Sequence, residues 1–262
     1  MEKDGKCKLI LISNDDGIDS LGIHTLVDYM VNYGEVVVVA PEQPQSAKSS
    51  SLTVETPLRA RQLPDYHGAK MWRVNGTPVD CTKLAFSHIL GRKPDIVVSG
   101  INHGSNAGIN AIYSGTMGVV FEACINGIPS VGFSLLSHDA NADFTECENV
   151  VRTVVDGVLA NGLPKDVCLN VNIPAKCKVK GIKVTNAAEG VWVEDFEKTT
   201  DPHGREIFWL TGRYEVTHPD DSSSDIYWLD REYATVVPCT PDQTAKRAIS
   251  ALSSVFDNDF DV

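Results

Sequence analysis

The chain has 262 residues, 42% of them hydrophobic, with 35 acidic against 23 basic residues and a formal charge of -12. This length and apolar content supply a sizeable core, and the acidic balance excludes a nonspecific grip on nucleic acid or on an anionic membrane surface. Seven scattered cysteines with no C-x-x-C pair, a start with only a short apolar run, and no stretch of membrane-span length lead us to expect a soluble cytoplasmic protein in a reducing compartment.

The continuous apolar run from Lys8 to Ser13 predicts a buried strand. It ends in Ser13-Asn14-Asp15-Asp16-Gly17. Asp19 and Ser20 can cap a following helix, whose apolar positions Ile23, Leu26, Val27, Met30 and Val31 keep helical spacing, and Gly34 closes it. Glu35 to Ala40 predicts a second buried strand, so the start of the chain is a βαβ unit and the sheet is parallel. Pro41 to Thr53 is a polar, serine-rich loop, either functional or simply solvated. Val54 to Trp72 alternates as a hairpin would. Asn75-Gly76-Thr77-Pro78 predicts a turn with Thr77 as N-cap, and then a helix to about Leu90.

Asp95 to Ser99 predicts a short strand that empties into a loop from Gly100 to Gly108. Its glycines suit close backbone approach to a ligand. Tyr113-Ser114-Gly115-Thr116 precedes a helix from about Met117 to Asn126. Further elements are a strand over Ser130 to Leu135, a helix over Thr145 to Leu159 and a strand over Val167 to Ile173. Beyond about residue 180 the alternation stops. Residues 187–225 are polar, aromatic and acidic, and predict projecting hairpins. Thr240-Pro241 is expected to open a last helix with Ala245, Ile249 and Leu252 on one face. The expectation is a single α/β domain: a doubly wound, mostly parallel, Rossmann-like sheet over 1–180, then a C-terminal β-hairpin extension and terminal helix over 181–262.

Chemistry concentrates in the strand-end loops. Asp15 and Asp16 repel each other unless a cation lies between them or one takes a proton. The pair is either a helix-capping turn or the anchor of a hard cation. Ser46 and Asn102, on two other strand-end loops, complete an all-oxygen set suited to Mg²⁺ or Mn²⁺. No zinc motif is present. The 100–108 loop matches neither dinucleotide nor P-loop patterns, and is either a ligand loop or a turn. Ser114 and Thr116 are either N-cap residues or, with the helix N-terminus, a phosphate site. His103 is a general acid or a polar loop residue. Cys124 falls inside a helix and reads as packing.

Taken together, seven ordered segments carry a specific resemblance. They are Ile12 to Ile18; Val39-Ala40-Pro41 with Gln45-Ser46 and Ser51-Leu52-Thr53; Asn75 to Cys81; Val98 to Gly104; Tyr113 to Thr116; Gly127 to Ser130; and Leu169 to Pro174. Asp225-Ile226 with Tyr233 to Pro238 is similar to the closing strand of the same family. The chain resembles SurE, the survival-protein nucleotidases. The family often has alanine at the position of Val79 and glycine at that of Ala47, and residues 187–225 match it poorly.

The resemblance implies a metal-dependent phosphomonoesterase of the 5′-nucleotidase type. It would hydrolyse nucleoside 5′- and 3′-monophosphates through a metal-activated water. It implies one divalent metal per subunit, Mg²⁺ or Mn²⁺, held by Asp15, Asp16, Ser46 and Asn102, with Asp15 and Asp16 as catalytic residues. Phosphate contacts are implied for Asn14, Asn106, Ser114, Gly115 and Thr116. The implied partners are the nucleotide and other copies of the chain, as a homodimer or homotetramer, with neither a nucleic-acid polymer nor a membrane. A nucleotide-binding sensor and an assembly protein acting through residues 187–225 are the rival readings.

Overall fold

The computed structural model describes residues 7–258, so the charged start at 1–6 lies outside the described residues. In chain order the elements are β1 (Leu9–Ser13), α1 (Leu21–Met30), β2 (Glu35–Pro41), β3 (Ala60–Tyr66), β4 (Ala69–Val74) and α2 (Pro78–Leu84). They continue as β5 (Ile96–His103), α3 (Gly115–Ile125), β6 (Ser130–Leu135), α4 (Cys147–Asn161), β7 (Cys168–Ile173) and β8 (Ile182–Val184). The last are β9 (Gly190–Val193), β10 (Phe196–Thr200), β11 (Glu206–Leu210), β12 (Arg213–Val216), α5 (Asp225–Leu229), β13 (Ala234–Cys239) and α6 (Ile249–Phe256).

One nine-stranded sheet runs β3-β4-β2-β1-β5-β6-β7-β13-β8. It is parallel from β4 to β7, and antiparallel where β3 meets β4 and where β13 meets β7. The inner strands read as apolar runs because both faces are covered. Ile10 and Ile12 point to one core with Ile23, Leu26 and Val27 of α1 and Val151 and Val155 of α4. Leu9 and Leu11 point to the other, with Cys81 of α2 and Val119 and Ala123 of α3. This is the predicted α/β doubly wound arrangement. Among the described residues no helix is long and apolar enough to cross a membrane.

Four expectations change. First, β8 and β13 join the main sheet, so it draws on residues beyond 180. Second, β5 does not stop at Ser99 but continues to His103, with a register shift against β6 between Ser99 and Asn102. A glycine and an asparagine there hide a strand whose bulge re-aims its end. Third, Asp225 and Ile226 begin a helix, N-capped by Ser224, rather than the closing strand. Fourth, the last helix starts at Ile249, after a 3₁₀ turn at Lys246–Ala248, and Thr240-Pro241 stays outside it. The 187–225 region does form hairpins: β9 pairs with β12 and β10 with β11.

Candidate active site

β1 lies between β2 and β5. The chain leaves β1 toward β2 on one side and later returns to β5 on the other, so a crevice opens at the carboxyl ends of β1 and β5, where such sheets take ligands. β1 delivers Asn14, Asp15 and Asp16 there, and β5 delivers Asn102 and His103. A cavity of about 500 Å³ lined by Glu35, Lys70, Trp72 and Arg92 lies instead at the strands' amino ends.

Asp15 is only 4% exposed. Its Oδ1 accepts a 2.5 Å hydrogen bond from the Thr116 hydroxyl, which ties the end of β1 to the start of α3. Gly115 permits the approach: a Cβ there would sit 2.7 Å from Asp15 Cβ and 2.9 Å from its Oδ2. Asp16 Oδ2 accepts from the His103 backbone N–H at 3.0 Å and faces His103 Nδ1 at 3.1 Å, a bridge between the ends of β1 and β5. The His103 ring stands edge-on to Phe144, and its Nε2 is buried without a hydrogen-bond partner among the described residues.

Ser46 is exposed on the loop after β2. That loop is fastened along its length. Gln45 N–H donates to the Asp15 carbonyl at 2.7 Å. Ser49 donates from its hydroxyl to the Ile112 carbonyl at 2.6 Å and from its N–H to the Tyr113 carbonyl at 3.0 Å. Thr53 N–H reaches the Asp80 carboxylate at 3.1 Å, and Thr77 Oγ1 donates to the Ser51 carbonyl at 2.7 Å. Thr77 and Asp80 also form the capping box of α2. The Asn75–Asp80 segment therefore works as a clasp on the loop that carries Ser46.

Burial pushes the Asp15 carboxyl from 3.8 up to about 6, the Thr116 hydrogen bond opposes the rise, and the charge of Asp16 adds to it. Among the described residues neither aspartate is ion-paired to a lysine or arginine, and the one basic side chain against the pair is His103. The two adjacent carboxylates after β1, the Asn102 carboxamide near the end of β5 and the Ser46 hydroxyl on the loop after β2 are all hard oxygen donors, with a net negative charge. That chemistry fits a divalent cation.

Two expected phosphate contacts, Asn14 and Thr116, are drawn differently. Asn14 is fully buried and engaged in its own turn: its amide donates to the Gly17 carbonyl at 3.0 Å and to Ser20 Oγ at 2.8 Å, and its Oδ1 accepts from Gly17 N–H. Its side chain shapes the Asp15-Asp16 turn and has no free donor to offer. The Thr116 hydroxyl serves Asp15. Ser114 caps α3, accepting from Met117 N–H at 3.1 Å, and its own hydroxyl proton stays available. The N–H of Gly115, at the first helical position, has no acceptor within the helix.

The model of the Survival protein SurE family matches residues 10–194. The chain belongs to the SurE family. A "5′-nucleotidase SurE" of Christiangramia forsetii is 47% identical over 258 residues, 97% of this chain and 99% of the relative. One from Cytophaga hutchinsonii is 45% identical over 248 residues, 94% of this chain and 95% of the relative. The crystal structure of a SurE protein from Aquifex aeolicus superposes with a TM-score of 0.82 at 36% identity, covering 95% of this chain and 100% of that one.

Behind this SurE site stands a polar network that residue-by-residue reading passes over. Asn106 Nδ2 donates to Ser134 Oγ at 2.8 Å, its N–H to Asn172 Oδ1 at 2.9 Å, and its carbonyl accepts from Asn170 Nδ2 at 2.8 Å. Asn172 Nδ2 donates in turn to Asn170 Oδ1 at 3.0 Å. Two asparagines two residues apart in a buried strand are the signal for it. Asp225 is fully buried and accepts from the N–H groups of Gly108, Ala188 and Ile226 at 2.8, 2.9 and 2.8 Å. It joins the site loop, the root of the hairpins and α5, and nothing in its aperiodic surroundings announces it.

Proposed function

We propose that the chain is a 5′-nucleotidase that releases phosphate from nucleoside monophosphates. The observation that carries this is the carboxylate pair Asp15-Asp16 at the switch crevice, bonded through Thr116 to the N-terminus of α3. One half of that arrangement attracts a cation and the other an anion, as a phosphomonoester and its metal require.

We infer that Asp15, Asp16, Ser46 and Asn102 hold one Mg²⁺ or Mn²⁺. When bound, such a cation supplies Lewis acidity toward a phosphate oxygen and lowers the pKa of a water. The chain's own residues do the rest. The Gly115 N–H and the Ser114 hydroxyl hold phosphate oxygens, and Asn106, fixed by Asn170, Asn172 and Ser134, supports the loop that faces them. Asp16 orients the His103 ring through Nδ1, which leaves Nε2 as the atom that passes a proton to the departing ester oxygen. Nothing in this arrangement distinguishes a 5′ from a 3′ ester, and both are included in the proposal. The exposed Phe196, Phe208, Trp209 and Leu210 of the hairpins support a homodimer or homotetramer.

The test is phosphate release from AMP, GMP and their 3′ isomers with Mg²⁺ or Mn²⁺, for the parent and Asp16→Asn. Turnover that collapses in the variant and after EDTA treatment is the expected result. Undiminished activity of either would overturn the assignment.

A further inference from the structure

The segment between Asn106, which braces the site loop, and Ser114, which holds phosphate at the start of α3, is short and does something besides joining them. It winds into a 3₁₀ turn at Gly108–Ile112. It leaves Ile112 47% and Tyr113 51% exposed. Asn110, in its middle, accepts a 2.8 Å hydrogen bond from the indole N–H of Trp192 on β9. Trp192 is itself 40% exposed, so an edge of the indole is fixed while part of the ring stays open.

The β9–β12 hairpin is held against this segment by Tyr214. Its hydroxyl donates to the Ala188 carbonyl at 3.0 Å and accepts from Ile109 N–H at 3.5 Å. A Cβ at Gly108 or at Gly190 would sit 2.7 Å from that hydroxyl oxygen, so the tyrosine tip is wedged between two glycines. The Trp192 and Tyr214 rings lie 6.1 Å apart. The aromatic residue is thus on a seated hairpin rather than a free arm.

Asn110 lies four positions along the chain from Asn106 and from Ser114, which limits it to roughly 14 Å from each. A nucleoside monophosphate whose phosphate rests at α3 must place its base somewhere around that anchor. Here the surroundings offer an oriented indole and two exposed apolar side chains. Every base has a π-face that stacks on an aromatic ring regardless of its hydrogen-bonding edge.

We propose that Trp192, fixed by Asn110 and flanked by Ile112 and Tyr113, is the platform on which the nucleobase stacks. The inference rests on the nucleotidase reading and deepens it. It gives the hairpin a role in substrate choice, with stacking that tolerates different bases and favours the larger purines.

The decisive comparison is between substrates that share the phosphate and differ in the base. Trp192→Ala is expected to lower kcat/KM for AMP and GMP about tenfold, ~1.4 kcal/mol, mainly through KM. Ribose 5-phosphate should be turned over as by the parent. Trp192→Phe, which keeps a ring face and loses the bond to Asn110, should recover part of the loss. An equal fall for ribose 5-phosphate, or no fall for the nucleotides, overturns the platform. So does a changed oligomeric mass of Trp192→Ala by light scattering, because that assigns the indole to a subunit interface. If the parent releases no phosphate from any ester, the nucleotidase reading fails separately. Calorimetric titration with AMP then decides the platform: weaker binding by Trp192→Ala supports it, and equal binding ends it.

Discussion

Replacing Asp15 by asparagine measures how much folding free energy the site withholds. Burial raises the Asp15 carboxyl from 3.8 to about 6. A folded value above the unfolded one means that the native chain holds this proton more tightly, so stability falls as pH rises between the two. The contribution of Asp15 is fully present below pH ~4 and is lost by the time pH has passed about 6. At about 1.4 kcal/mol per pH unit, the rise amounts to ~3 kcal/mol at neutral pH. Asparagine removes the charge and keeps an oxygen for the Thr116 hydroxyl. Without metal, Asp15→Asn should therefore be more stable than its parent at neutral pH by up to ~3 kcal/mol, roughly 6–12 °C in Tm. The two should converge near pH 4. Urea unfolding in the presence of a chelator, followed from pH 4 to 8, gives both curves. Added Mg²⁺ should then stabilise the parent and leave the variant where it was. Parallel pH curves for the two proteins would refute the reasoning.

Gly115→Ala should fold and lose activity, because its new Cβ would meet Asp15 at 2.7 Å and push the start of α3 off the carboxylate. A fall of about a hundredfold in kcat with an unchanged circular dichroism spectrum is expected. Asp225→Ala leaves three backbone N–H groups without their acceptor. At ~1–3 kcal/mol for each one stranded, urea unfolding should show a loss of ~3 kcal/mol or more, and a loss under ~1 kcal/mol would deny Asp225 its joining role. Thr77→Val removes both the α2 cap and the bond to the Ser51 carbonyl. About 1 kcal/mol of stability should go with the cap, and amide exchange should quicken across residues 45–53.

What was legible in the sequence follows from where the physics is local. β1 and β2 could be read because a strand covered on both faces must be apolar throughout, and the abrupt arrival of Asp15 and Asp16 marks its end. The cap at Thr77 was visible because the capping box lies within four consecutive residues. The final turns of β5 were hidden, since glycine and asparagine reverse every compositional sign of a strand while its neighbours still supply the hydrogen bonds. The engagement of Asn14 was equally hidden: the family resemblance implies a phosphate contact, and only the fold shows both amide hydrogens used within one turn. Asp225 is the extreme case, because its acceptors' donors come from two segments far off in the chain and leave no periodic trace beside it.

The clasp between the α2 capping box and the loop after β2 has a consequence at a distance. The first turn of α2 is a mechanical terminal of the active site, although no atom of it is placed there. A ligand, a neighbouring subunit or a substitution that rocks that helix end by a fraction of an ångström would tug the strand of backbone leading to Ser46. Tuning of turnover can therefore be sought on the outer flank of the molecule as well as in the crevice.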